Sequence, residues 1–229
     1  MLAKKSDSLL AALHLASPAL PVGGFAYSQG LEQAVEDKWV TQVGQAHDWI
    51  RDVLILNLAR QELPLWLLVY QACKSEVLDW QVVNDLNAQL MALRETAELR
   101  LESIQMGHSM AKLFKQWPNG EHLTNAAAPA QWVYPAAHAA LSAVCSIDED
   151  MALAAYLWSW VENQVLAAVK TIPLGQIDGQ RLLHELKPFI GQAIDIARDI
   201  KTEDIGSAAI GLAVTSSRHE TQYSRLFRS

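Results

Sequence analysis

The sequence predicts an all-α protein: a single-domain helical bundle of roughly eight to ten helices around one central apolar helix. Three observations carry this. Apolar residues recur at steps of three and four along most of the 229 residues, and no alternating strand pattern of useful length interrupts them. Alanine and leucine stretches are long, while glycine and proline number only 11 and 8. Apolar residues make up 51% of the chain, eight of them tryptophan, which suffices for a core at this length without staples.

The first helix is expected to start at Ser6 or Asp7, either of which can cap it, and to stop before Pro18. Lys4, Lys5, the leucines and "ASPA" imitate an export signal, but Asp7 and His14 interrupt it, so the segment reads as an amphipathic helix. "SPALPVGG" is a loop in which Gly23 and Gly24 allow backbone angles closed to other residues. Helix resumes near Tyr27 and runs to about Asp37. Thr41 is placed to cap the next helix, on which Val43, Ala46, Ile50, Val53 and Leu54 share a face. Pro64 suits the first turn of a third segment, "LPLWLLVYQAC".

From Asp79 to Trp117 the stripe Leu86, Leu90, Leu93, Ala97, Leu101, Ile104 and Ala111 predicts one long helix, or two in line. His108 fills the missing rung as a core histidine, and Glu95, Glu98 and Glu102 lie on the opposite, solvated side. Gly107 either admits another helix at close range or is merely tolerated, at ~1 kcal/mol relative to alanine. "WPNGEHLTNAAAPAQWVYP" is a loop of turn residues. Pro135 opens a short alanine-rich helix ending near Val144. Asp148 caps a helix over 149–170, apolar nearly all round and therefore central. Asp178 caps a short helix that Pro188 kinks or restarts, and Ile190, Ala193, Ile194, Ala197 and Ile200 form a stripe. No repeat or interior linker divides the chain, so 1–217 reads as one helical domain and 218–229 as a tail.

The residue inventory narrows the function. A net charge of −7 without a strong basic face argues against nucleic acid. No run reaches the ~18 apolar residues of a membrane span; the longest candidate, Met151 to Val161, is broken by Ser159 and then by Glu162, Asn163 and Gln164. Cys73 and Cys145 are too few for a disulfide framework or a paired-cysteine zinc site, and read as reduced buried thiols of a cytosolic protein. "IPLGQIDGQRLL" (172–183) imitates a phosphate cradle. Yet Gly175 and Gly179 are too close for a P-loop, Gln180 stands where lysine would, and no strand precedes it. It reads as a turn: Pro173 stiffens it, Gly175 permits the reversal, Asp178 caps the next helix, and Gln176 and Gln180 are left to offer donors and acceptors.

The seven histidines include no i, i+4 pair and no H-E-x-x-H, so a metal site would need assembly in space. No G-x-S-x-G elbow occurs, and the glutamates at 95, 98 and 102 lack the inward Glu-x-x-His of a carboxylate metal site. Two stretches resist a bland reading. In "VGGFAYSQGLE" (22–32), Phe25 and Tyr27 either plug the protein's own core or wait for a partner. In "SRHETQYSRLFRS" (217–229), Tyr223, Leu226 and Phe227 alternate with Arg218, Arg225 and Arg228, the residue types enriched at interfaces. That segment either docks on another protein or folds back on its own domain.

Together "LASPALPVGGFAYSQGLE", "ALRETAELRLESIQMG", "WVENQVLAAVKTIPLGQIDGQRLL" and "YSRLFRS" resemble the urease accessory protein UreF family, in its order and over nearly the whole chain. Residues 115–135 carry none of its motifs. The resemblance implies an all-helical, cytoplasmic, non-enzymatic homodimer. Such a protein bridges UreD (also called UreH) and the GTPase UreG during GTP-dependent loading of nickel into apo-urease. Nickel and GTP would then be handled by the partners, and this chain would hold no cofactor. On the same resemblance, Tyr223, Arg225, Leu226, Phe227 and Arg228 dock on UreD. Gly175, Gln176, Asp178, Gly179 and Gln180, and Gly23, Gly24, Phe25, Tyr27, Ser28, Gln29 and Glu32, shape a partner face, the dimer or the fold. Two other readings stay open: an all-helical enzyme whose site gathers residues such as His108, Glu102 and Tyr27, and a direct nickel carrier.

Overall fold

The computed structural model describes residues 2–207 and 209–229, without the side chains of residues 2–5. Among the described residues there is no strand, and ten α-helices succeed one another: α1 Leu2–Leu15, α2 Leu31–Glu36, α3 Val43–Val53, α4 Leu63–Lys74, α5 Trp80–Ala92, α6 Ala97–Leu113, α7 Tyr134–Val144, α8 Glu149–Thr171, α9 Gln176–Asp199 and α10 Ile210–His219. Helix α8 is the axis, packed by α1, α2, α3, α7 and α9, as its apolar circumference requires. Asp148 caps it as expected, accepting from the amides of Asp150 (3.1 Å) and Met151 (3.3 Å). Pro135 sits in the first turn of α7, which ends at Val144.

Several boundaries differ from expectation, each for a local reason. Helix α1 begins at Leu2, before Ser6 and Asp7, but ends ahead of Pro18 as the proline demands. Helix α2 starts only at Leu31, because Gln29 (φ +51°) and Gly30 (φ +78°) are left-handed. Gln42 rather than Thr41 precedes α3, and the Thr41 amide and hydroxyl both donate to Gln45 Oε1 at 2.8 Å.

Pro64 does not begin a separate segment. Helices α3 and α4 are joined by a π-helical stretch, Leu54–Glu62, into one rod, Val43–Lys74. Proline has no N–H for the Arg60 carbonyl one turn back, and the Gly206 amide supplies it instead at 3.2 Å. Once continuous, the rod is long and apolar enough to cross a membrane: an 18-residue window reaches mean hydropathy 1.2. But 72% of that window is buried inside the fold, so this is the pattern of a core helix. Helix α9 likewise runs through Pro188 without a restart. The carbonyl deprived there belongs to His184, and both residues lie on the solvent side, where water can serve it. Asp178 lies in the first turn of α9, and Gly175 is its N-terminal flank.

The largest correction concerns residues 93–96. Helix α5 stops at Ala92 and α6 restarts after Thr96, whose hydroxyl accepts from the Leu99 amide (3.3 Å). The break resets the helical phase. The buried face of α6 is Leu99, Glu102, Ser103, Met106, Gly107 and Met110, while Leu101 and His108 are exposed. A core histidine is found instead at His138 on α7, fully buried beside Trp66, Tyr134 and Tyr156. Gly107 admits a close approach, though by the segment Trp132–Val133 rather than by a helix. That segment, in the stretch without recognised motifs, is anchored by Asn87. The side-chain amide of Asn87 donates to the Gln131 carbonyl (2.9 Å) and accepts from the Val133 N–H (3.0 Å).

Candidate functional site

Three glutamates converge where the two unexplained sequence stretches meet. Glu98 and Glu102 are one turn apart on α6, and Glu32 is in the first turn of α2. None lies on a solvated face: Glu32 is 7% and Glu102 5% exposed, and Glu98 is half-buried. Their donors come mostly from the tail. Glu32 accepts the amides of Leu226 (2.7 Å) and Phe227 (3.0 Å). Glu102 accepts the Ser229 hydroxyl (2.6 Å) and the Gln29 amide group (2.7 Å). Glu98 takes the Arg225 guanidinium at 2.5 Å and stands 2.6 Å from His219 Nδ1. The other ring nitrogen of His219, at the end of α10, is 3.3 Å from Glu32.

Backbone bonds complete the seat. The amides of Ser28 and Gln29 and the Ser28 hydroxyl all donate to the Ser229 carbonyl, at 2.8, 3.1 and 2.7 Å. The left-handed turn at Gln29 and Gly30 aims those donors inward. The Arg228 amide donates to the Ala26 carbonyl (2.9 Å). From α8, Trp160 donates to the Gln29 side-chain oxygen (2.8 Å) and Asn163 to the Tyr27 carbonyl (3.0 Å). Glu220 reaches the first turn of α6, accepting from Ala97 (2.9 Å) and Glu98 (3.3 Å), a cap supplied from 123 residues away.

The alternatives for Phe25 and Tyr27 divide between them. Tyr27 is buried, its hydroxyl donating to Gln105 (2.7 Å), whereas Phe25 is exposed. In the tail, Phe227 is buried with the Lys170 ammonium 5.4 Å from its ring, while Tyr223 and Leu226 project into solvent. Ser28, Gln29 and Glu32 therefore meet the tail directly, while Gly23 lines a surface groove with Tyr27 and Arg228 and Gly24 borders a cavity with Gln29 and Glu102. The 175–180 turn does not share their hydrogen bonds. There Gly179 lets α9 close on α8, since a Cβ would stand 2.8 Å from Val169 Cγ2. Gln176 and Gln180 are exposed, as is Ile177 between them.

Behind the seat lies a cavity of about 110 Å³ lined by Gln29, Glu62, Arg94, Glu102, Tyr134 and Tyr156, among others. Glu62 pairs with Arg94 and accepts from the Tyr156 hydroxyl (2.6 Å). Burial is the largest single influence on Arg94 and opposes its charge, but Glu62, Tyr156 and Glu102 together outweigh it and hold the guanidinium protonated. Of the residues considered for catalysis, His108 is exposed, and Glu102 and Tyr27 are already bonded as described. Among the described residues no group of three or more His, Cys, Asp or Glu is arranged to hold a metal ion.

Glu102 is pushed above the ordinary carboxyl range by burial, against the opposing pull of its Ser229 and Gln29 bonds. The folded protein thus holds this proton more tightly than the unfolded chain. The resulting stability is fully present below the unfolded pKa and is lost as pH rises through the folded one. Glu102→Gln, whose amide can still pair with Ser229 and Gln29, is expected to flatten that dependence and to be at least as stable as wild type at pH 8. Denaturant midpoints at pH 5 and pH 8 measure it; an unchanged pH dependence would contradict the assignment.

Sequence reasoning missed Glu98, His219, Glu220, Trp160 and Asn163 as parts of this region, and grouped Glu102 with Tyr27 only as scattered candidates for catalysis. One signal was available: Thr96 is a helix cap, and restarting the phase there turns Glu98 and Glu102 inward. Known proteins bear on the same features. The family model described as UreF matches residues 40–187. A urease accessory protein UreF of Cupriavidus pinatubonensis is 45% identical over 226 residues, 96% of this chain and 97% of that protein. Others so named, from Azoarcus sp. and Pseudomonas fluorescens, are 46% and 47% identical, each over 96% of this chain.

Proposed function

Since the chain belongs to the UreF family of urease accessory proteins, we propose that it is a non-enzymatic cytoplasmic adaptor, acting as a homodimer, that bridges UreD (UreH) and the GTPase UreG. The assembly brings about GTP-dependent incorporation of nickel into apo-urease. GTP is bound by the GTPase and nickel is handled by the partners, so this chain contributes shape rather than reactive groups.

The observation that supports this best is the composite surface built from the two ends of the sequence. The tail is seated by its backbone and by Phe227, which leaves Tyr223 and Leu226 outward with Arg225 and Arg228 at their side. An aromatic ring and an aliphatic side chain flanked by guanidinium groups form the anchor pattern of a protein interface. We assign this face to UreD, and the exposed Phe25 and the Gln176–Gln180 turn to the remaining contacts of the assembly.

Because Tyr223 and Leu226 are exposed, removing their side chains tests docking without emptying the core. The double variant Tyr223→Ala/Leu226→Ala is expected to bind UreD roughly tenfold more weakly or worse. Its thermal midpoint should match wild type. Undiminished binding in a size-exclusion or titration assay would overturn the docking role. Deleting 218–229 outright is a poorer test, since it also strips Glu32, Glu98 and Glu102 of donors.

A further inference from the structure

We propose that Glu32 is the positioning residue of the tail: its carboxylate does not meet the partner but sets which tail side chains the partner meets. This rests on the docking reading above and deepens it. The tail after α10 has no regular secondary structure to fix its rotation about its own axis. One carboxylate takes the N–H groups of two successive residues, Leu226 on Oε1 and Phe227 on Oε2. Two neighbouring amides drawn to one anion curl the backbone around it and fix both adjacent side chains. The outcome is that Phe227 turns inward and Leu226 outward, at 6% and 71% exposure.

Glu32 is itself held from both sides. Its amide donates to the Ser28 hydroxyl (3.3 Å), and His219 Nε2 faces Oε2. At 7% exposure under the seated tail, it can act on a partner only through the tail. Glutamine is a poor substitute despite its shape. One acceptor oxygen becomes an NH₂ group, which confronts a backbone N–H with another donor.

The test measures the amide hydrogen exchange of Leu226 and Phe227 by NMR in the full-length protein, with UreD affinity as a second arm. Glu32→Gln is expected to speed both amides roughly ten- to a hundredfold, as loss of bonds to a charged acceptor does. UreD affinity should fall in parallel. Leu226→Pro, which deletes one donor from the tail side and leaves α2 untouched, is expected to speed the Phe227 amide likewise, even if Glu32→Gln folds poorly. Amides as slow in these variants as in wild type overturn the proposal. So does fast exchange in Glu32→Gln with full UreD affinity, provided Tyr223→Ala/Leu226→Ala has lost affinity. If both variants keep full affinity while the amides are loosened, Glu32 does seat the tail, and it is the docking reading that falls.

Discussion

Gly107→Ala is expected to destabilise the protein by about 3 kcal/mol, although alanine is the better helix former by ~1 kcal/mol. The added methyl would lie 2.2 Å from the Trp132 carbonyl oxygen and 2.6 Å from the Val133 carbonyl carbon. Both neighbours are backbone, so no side chain can swing aside. Nor can the segment retreat, because the Asn87 side chain grips it at Gln131 and Val133, and Val133 is fully buried. Gly44→Ala in α3 is the control. Nothing lies within 4 Å of the new methyl, and a gain of roughly 0.5–1 kcal/mol is expected from helix propensity alone. Denaturant midpoints of the two variants should move in opposite directions. A Gly107→Ala midpoint at or above wild type would mean that the segment at 132–133 does not lie against α6.

Acid is expected to unfold the protein through His138. Its ring is enclosed by Trp66, Tyr134 and Tyr156, with the Ser142 hydroxyl 3.4 Å from Nδ1. Burial lowers its pKa from 6.5 to about 3. The unfolded chain therefore takes up a proton that the folded protein refuses. The stability from keeping the ring neutral is complete above pH 6.5 and is lost progressively as pH falls toward 3. The slope approaches ~1.4 kcal/mol per pH unit, or about 4–5 kcal/mol over the whole window. His138→Phe, which keeps a ring in the aromatic nest and removes the proton acceptor, should flatten this limb. A chevron or midpoint series from pH 7 to pH 4 reads the slope directly. An equally steep acid limb in the phenylalanine variant would assign it to other groups.

What could be read from the sequence was whatever depends on neighbours a few residues away. Pro18 limits α1, Pro135 opens α7 and Asp148 caps α8, each through a bond or clash inside one turn. What could not be read depends on a partner far along the chain. Pro64 and Pro188 resemble helix boundaries until Gly206 is found to serve Arg60 and His184 to lie open to solvent. The glutamates of α6 resembled a wetted face because their phase was carried across the break at 93–96, and because most of their partners lie more than 120 residues downstream. The 22–32 stretch and the tail stood out by composition, yet nothing in composition said that they touch.

The bond from Ser28 to Ser229 spans 201 positions, and it places a constraint on biosynthesis. On the ribosome, Glu32 and Glu102 emerge long before Leu226, Phe227 and Ser229. Throughout that interval two carboxylates destined for burial lack most of their donors, a deficit of several kcal/mol if the helices close first. A nascent chain can therefore assemble its bundle but cannot finish this seat until residues 226–229 have been made. A chain that stops short of residue 226 is left with an open acidic seat at Glu32 and Glu102.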